Sequence, residues 1–300
     1  MRADPFYSLS LNNSLDSLTT LQDSLTSQLS SGLAVSSPSD NPLAASEGVA
    51  LGSAISQDDA YVQSATTLEG RLQTSDSALG GVVTQLTSAI SLATGGMNGT
   101  LDASNLTDIS GQLASIRDQV VSLANTSYAG TYLFSGTAGT TQPYTNDTST
   151  SPATATYAGD DNQQYAETPS GQKIAVSMPG SAIFSASGTD VLGTLNKLVA
   201  DFASGTASSS TAADLASLSA GLSNVTSQRA VLGSSLSTVQ QTSSYASTDE
   251  TNLEAAQSSL VSANTATIAT QLSSTETQSQ ALMSVMSSIS SKSLFDYMES

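Results

Sequence analysis

Seven leucines near the start of the chain, Leu11, Leu15, Leu18, Leu21, Leu25, Leu29 and Leu33, are separated by steps of 4, 3, 3, 4, 4 and 4. Such steps lay an apolar stripe along one face of a helix, here over 6–33. Gly32 and the Ser-Pro punctuation of SSGLAVSSPSDNP end that helix. A second helical tract starts near Leu43 and runs to about Met97. Its seam alternates steps of four and three through Leu51, Ile55, Asp58, Val62, Ala65, Glu69, Leu72, Asp76, Leu79, Val83, Leu86, Ile90, Ala93 and Met97. Three acids interrupt the seam, which predicts a partly exposed helix and not a deep core.

Asn98-Gly99 breaks the pattern, and Asp102 or Ser104 is placed to cap a third helix. That third tract, 105–127, carries Leu106, Ile109, Leu113, Ile116, Val120 and Leu123. After Asn125 the period changes to short alternating runs, Tyr132-Leu133-Phe134, Thr154–Tyr157 and Lys173–Ser177, with a hairpin turn expected at Pro169-Ser170-Gly171. Val191–Phe202 reads as a short helix and 203–211 as a flexible linker. From about Ala212 to Ile289 the heptad returns: Leu218, Val225, Leu232, Val239, Ala246, Leu253 and Leu260 lie seven apart.

The fold class expected is mainly α. The N- and C-terminal segments form an elongated antiparallel helical rod or coiled coil, and a small antiparallel β-rich insert interrupts it. The corresponding domains are an N-terminal assembly helix (1–42), a helical rod (43–129), the β-rich insert (130–190), a short helix and linker (191–211), the C-terminal half of the rod (212–264) and a C-terminal assembly helix (265–300). Seven leucines are too few to offset the entropy of ordering a lone helix of this length, so the first segment requires a covering partner. The candidate interface is therefore the pair of terminal stripes: Leu11, Leu15, Leu18, Leu25 and Leu29 at one end, and Ile268, Leu272, Leu282, Met286, Ile289, Leu294 and Phe295 at the other.

Composition narrows the chemistry. The chain has no Cys and no His, which removes the usual zinc, haem and iron–sulfur ligands and the Ser-His-Asp and Cys-His nucleophile pairs. Seven basic against 25 acidic residues give a net charge of −18. Nucleic acid and anionic membrane surfaces would be repelled. Ser and Thr make up roughly a third of the chain, far above ordinary globular usage. No apolar run approaches the ~20 residues needed to span a bilayer, and MRADPFYSLSLNNS lacks the apolar core and cleavage site of a secretory signal. Export, if it occurs, is expected to leave the N-terminus uncleaved.

Local motifs add little. Asp160-Asp161-Asn162 lacks the spacing of a calcium loop and reads as a solvated turn. GTAGTTQ (136–142) lacks the Gly-Lys-Ser/Thr ending of a phosphate loop. Asn98, Asn105, Asn125 and Asn224 open N-x-S/T triplets that chance supplies in so Ser/Thr-rich a chain. A carbohydrate-active enzyme using paired carboxylates would need two of Asp147, Asp160, Asp161 and Glu167 to converge at about 5–10 Å, and all four fall in expected turns.

SLTTLQDSLTSQLSSGLAVSSPSDNPLAAS (17–46) resembles the N-terminal region shared by bacterial flagellins and flagellar hook-associated proteins. Within it, PSDNPLAA (38–45) is similar to the hook-associated protein 3 branch. SLANTSYAGTYLFSGT (122–137), ATYAGDDNQQ (155–164), VSMPGSAIF (176–184), RAVLGSSLSTVQ (229–240) and SLFDYM (293–298) resemble later landmarks of the same branch, in the same order. Arg2-Ala-Asp-Pro departs from the family's usual opening, and 107–113 lacks a basic residue common there. The resemblance implies a structural, non-enzymatic role at the junction between hook-associated protein 1 and the flagellin filament, with a flagellin subunit as the alternative. It also implies a location outside the cell on the flagellum and no cofactor. The partners it implies are hook-associated protein 1, flagellin, further copies of the chain in a ring, and an export chaperone.

Overall fold

A computed structural model describes residues 5–35, 38–99, 101–186, 189–205 and 209–298, and the side chains among them from 9 to 288 except Ser209. Seven helices carry most of these residues: α1 (Pro5–Ser31), α2 (Pro42–Gly96), α3 (Ala103–Ala124), α4 (Gly180–Phe184), α5 (Val191–Ala203), α6 (Ser209–Val261) and α7 (Thr265–Met298). Four two-stranded antiparallel pairs lie between α3 and α5: β1 (Ser127–Tyr128) with β2 (Thr131–Tyr132), β3 (Tyr144–Asp147) with β4 (Thr154–Tyr157), β5 (Tyr165–Glu167) with β6 (Lys173–Ala175), and β7 (Ser185–Ala186) with β8 (Thr189–Asp190). The fold class is therefore mainly α with small antiparallel strand pairs. The chain divides into two compact units, 57–248 and the combined ends 1–56 and 249–300.

In the unit 57–248, α2 and α6 run antiparallel, because Tyr61 pairs with Thr242 and Asp76 with Arg229. The heptad row of α6 is buried at Leu218, Val225, Leu232, Val239 and Ala246. It meets Ala65, Leu72, Leu79 and Leu86 of α2, all fully buried. Leu106, Leu113, Ile116 and Val120 of α3 and Leu192, Leu195, Leu198 and Phe202 of α5 extend the same core. The acids of the α2 seam are accommodated and not simply exposed: Asp58 is buried, and Asp76 is held in a two-point ion pair by Arg229. Seam acids here mark polar contacts inside the packing.

The insert attaches through an aromatic cluster. Phe134 meets Phe184 edge-on at 5.9 Å between ring centroids, and Tyr144 lies 5.5 Å from Phe184 and 5.1 Å from Tyr157. The run Tyr132-Leu133-Phe134 continues past its two-residue strand into the core, where Leu133 and Phe134 are buried. The β5–β6 hairpin closes through Thr168-Pro169-Ser170-Gly171, with Gly171 donating to the Thr168 carbonyl at 2.9 Å. Its Ile174 packs on the α2/α6 seam beside Leu72 and Leu232.

Helix starts follow side-chain chemistry. The Asp102 carboxylate accepts from the Asn105 amide at 2.8 Å to cap α3, and Asp190 does the same for Gly193 at 2.9 Å to cap α5. Asp201 accepts from the Thr211 hydroxyl at 2.9 Å at the first turn of α6. The linker expected at 203–211 gives way to helix at Ser209, and residues 206–208 lie outside the described residues. The heptad tract from Ala212 to Ile289 is likewise two helices, parted at 262–264.

Candidate assembly interface

The combined-end unit is built from α1, the first turns of α2, the last turns of α6, and α7. PSDNP supplies its corner. Asn41 caps α2, its side chain accepting from the Ala44 amide at 3.1 Å, and Pro42 occupies the first helical position, where a missing N–H costs nothing. The Gln257 side chain, on α6, donates to the Gly48 carbonyl at 3.1 Å and ties the two helices there.

A backbone clamp joins the end of α1 to the break between α6 and α7. Gly32 takes the left-handed conformation (φ 73°) that ends a helix. Leu33 then bridges Ser262 in antiparallel fashion. Ala34 donates to the Val261 carbonyl at 2.7 Å, and Ala263 donates to the Gly32 carbonyl at 2.9 Å. Asn264 restarts the helix by accepting from Thr267 at 3.2 Å. Because the clamp places the last turn of α1 beside the first turn of α7, the two helices pair antiparallel.

The leucine stripe of α1 faces this pairing. Leu25 and Ile268 are buried (4% and 5% exposed), while Leu11, Leu15, Leu18, Leu272, Leu282 and Met286 are half-buried. On α7 the covered row is Ile268, Leu272, Thr275, Ser279, Leu282 and Met286, again alternating four and three, with Thr275 and Ser279 as small polar members. Thr275 satisfies its hydroxyl by donating to the Gln271 carbonyl at 2.7 Å. A shallow groove opens beside these small residues, lined by Gln22, Asp23, Leu272, Glu276, Gln280 and Met283. The chain's own α7 therefore covers much of the stripe that leucine spacing set out for a partner.

Leu29 stays exposed at 39%, together with Leu9, Leu21, Leu33, Met283 and Val285. These outward residues follow no single helical period, which is why spacing alone does not single them out. The side chains of Ile289, Leu294 and Phe295 lie outside the described residues.

Three of the insert acids accept local hydrogen bonds, and Asp147 and Glu167 end strands β3 and β5 instead of lying in turns. Asp160 accepts from the Thr137 amide and hydroxyl and from the Asn162 amide, and these bonds hold its carboxyl down at about 2. Asp147 accepts from Ser149 and Asp161 from Ser181, while Glu167 stands opposite Lys173 in the β5–β6 register. Among the described residues no group of three or more acids is placed to hold a metal ion, and no helix is long and apolar enough to cross a membrane.

Residues 6–139 match the bacterial flagellin N-terminal helical region, and residues 215–298 match the bacterial flagellin C-terminal helical region. The chain is 30% identical over 158 residues to the flagellar hook-associated protein 3 of Salmonella typhimurium, covering 52% of this chain. It spans 48% of that relative's length. By structure it is similar to FlgL of Bacillus cereus (TM-score 0.57, 23% identity, 70% of this chain and 99% of that one). It is also similar to the flagellar junction protein FlgL of Legionella pneumophila (TM-score 0.52, 14% identity, 61% of this chain and 95% of that one). These two likenesses establish the fold.

Proposed function

The chain belongs to the bacterial flagellin-like family, and we propose that within it this protein is a structural subunit of the junction between hook-associated protein 1 and the flagellin filament. The likeness to a hook-associated protein 3 carries the reading, and the PSDNP corner at 38–42 supports it. The role is assembly and not catalysis, consistent with insert acids committed to turns and hairpin register. Its place is on the flagellum outside the cell. Its partners are hook-associated protein 1, flagellin, further copies of itself and an export chaperone.

The assembly segments are the terminal ones, 1–42 and 265–300. The α1/α7 pair is the unit that packs, and Leu29 is the member of the proposed leucine set left outward for a neighbour. Leu11, Leu15, Leu18, Leu25, Ile268, Leu272, Leu282 and Met286 hold that pair together, and the interface extends to Ile289, Leu294 and Phe295. With a net charge of −18, copies repel at long range, so association rests on such uncharged surface and strengthens with salt.

The test is a strain lacking the gene, viewed by electron microscopy. Hooks without filaments, restored by the gene, are expected. Quantitative mass spectrometry of sheared wild-type filaments separates the alternative: a junction subunit is a trace component, whereas a flagellin is the bulk. Normal filaments in the deletion strain, or this chain as the filament's main protein, would overturn the reading.

A further inference from the structure

The antiparallel seam between α2 and α6 is periodic enough to fit in two registers. Leu218, Val225, Leu232, Val239 and Ala246 lie seven apart, so sliding α6 by one heptad keeps apolar residues against Ala65, Leu72 and Leu79. The polar contacts repeat at the same interval. Arg229 binds Asp76, and Glu69 occupies the seam seven residues before it. Tyr61 bonds the Thr242 hydroxyl at 2.7 Å, and Ser235 presents another hydroxyl seven residues before that. A slip would exchange each partner for an equivalent one.

Among the contacts outside the seam that lack such an equivalent, two hold the middle of α6, one against α5 and one against α4. Gly221 lies so close to α5 that a Cβ there would stand 2.8 Å from Val191 Cγ2. Asn224 donates from Nδ2 to the carbonyls of Ala182 and Ile183 at 3.0 and 2.9 Å. Seven residues earlier stand Asp214 and Ser217. After a slip, Asp214 would be driven into Val191, and Ser217 has a single hydroxyl proton for two carbonyls.

We propose that α4 and the start of α5 act as a register pin: Gly221 and Asn224, held by Val191 and α4, select the Asp76 register of α6 over the Glu69 register that the seam itself tolerates. This segment thereby fixes how two distant stretches of chain, each with a repetitive surface, are aligned when they meet.

The absence of Cys allows a direct distance test on the full chain. Ser64→Cys and Ser227→Cys, both at exposed helix positions, take nitroxide labels whose separation is read by pulsed electron resonance. In the present register they are offset by about two heptads, and a slip reduces the axial offset by one, about 10 Å at ~1.5 Å per residue. Asp76→Leu removes the Arg229 partner and favours the Glu69 register. With the pin intact it retains the wild-type distance, and a shortened distance in this single variant would overturn the proposal. Adding Asp214→Gly and Ser217→Asn builds a second notch and clamp seven residues earlier, and a shorter distance should appear. An unchanged distance in that folded triple variant would also overturn the proposal, since the seam would then set its own register. Should the triple variant fail to fold, the Asp76→Leu measurement still decides.

Discussion

Arg229 donates through Nε and Nη2 to the two carboxylate oxygens of Asp76 at 2.8 and 3.0 Å. The pair joins seam positions 153 residues apart in sequence. Hydrogen bonding to Arg229 lowers the Asp76 pKa, outweighing the opposing effect of burial. A carboxylate whose folded pKa is depressed stabilises the fold above its unfolded pKa, about 3.9, and that contribution is lost as pH falls through the lower folded value. Both side chains are about one-third or more exposed (34% and 41%), so screening limits the pair to about 1 kcal/mol. Asp76→Asn should therefore lower the melting temperature at neutral pH, and the gap to wild type should close below about pH 4. Thermal melts across that range measure it, and a gap that widens on acidification would refute the assignment.

Asp160 provides a sharper titration. Its bonds to Thr137 and Asn162 keep the carboxyl charged until pH approaches about 2. Carboxyl-carbon NMR should give a midpoint well below the ordinary ~3.9 for Asp160. In Thr137→Val the midpoint should move upward, because that change removes the hydroxyl donor while keeping the amide.

Two adjacent glycines at the end of α2 should respond with opposite signs. A Cβ on Gly95 meets nothing within 4 Å, whereas a Cβ on Gly96 would stand 2.5 Å from Phe202 Cε1. Gly95→Ala should stabilise by about 0.5–1 kcal/mol through helix propensity and reduced unfolded-state entropy. Gly96→Ala should destabilise by about 1–3 kcal/mol, because Phe202 is fully buried and has no room to yield. Urea melts of the two single variants test the contrast, and equal shifts would show that Phe202 has room to move.

The parts of this fold that periodicity carries were legible. The α6 row from Leu218 to Ala246 is buried as its spacing implies, and Asp102 caps α3. Thr154–Tyr157 is a strand, and Val191 opens a helix. What spacing cannot carry is pairing across the sequence. The clamp of Gly32, Leu33 and Ala34 on Val261, Ser262 and Ala263 uses backbone groups that any residues could supply. No Pro or Gly marks the helix break at 262–264; in the sequence it shows only as the end of the seven-residue row at Leu260, after which Thr267 and Ser274 are polar. The seam acids were misleading for a related reason: whether Asp76 is solvated or paired depends on an arginine on another helix.

The same limit shapes the terminal stripe, where spacing gives Leu25 and Leu29 equal standing and the structure separates them. Leu25 is 4% exposed within the α1/α7 pairing, and Leu29 is 39% exposed. Leu25→Asp buries an unpaired carboxylate, a cost of several kcal/mol that a single helix pair cannot sustain. Limited proteolysis of that variant should release α1 while leaving 57–248 intact, since that unit has its own core. Leu29→Asp places the charge in solvent, so the monomer should melt and resist protease as wild type does. Its cost should appear only on assembly, as failure to restore filaments to a strain lacking the gene. A Leu29→Asp protein that assembles normally would remove Leu29 from the interface. A Leu25→Asp protein whose α1 stays protected would remove the α1/α7 pairing itself.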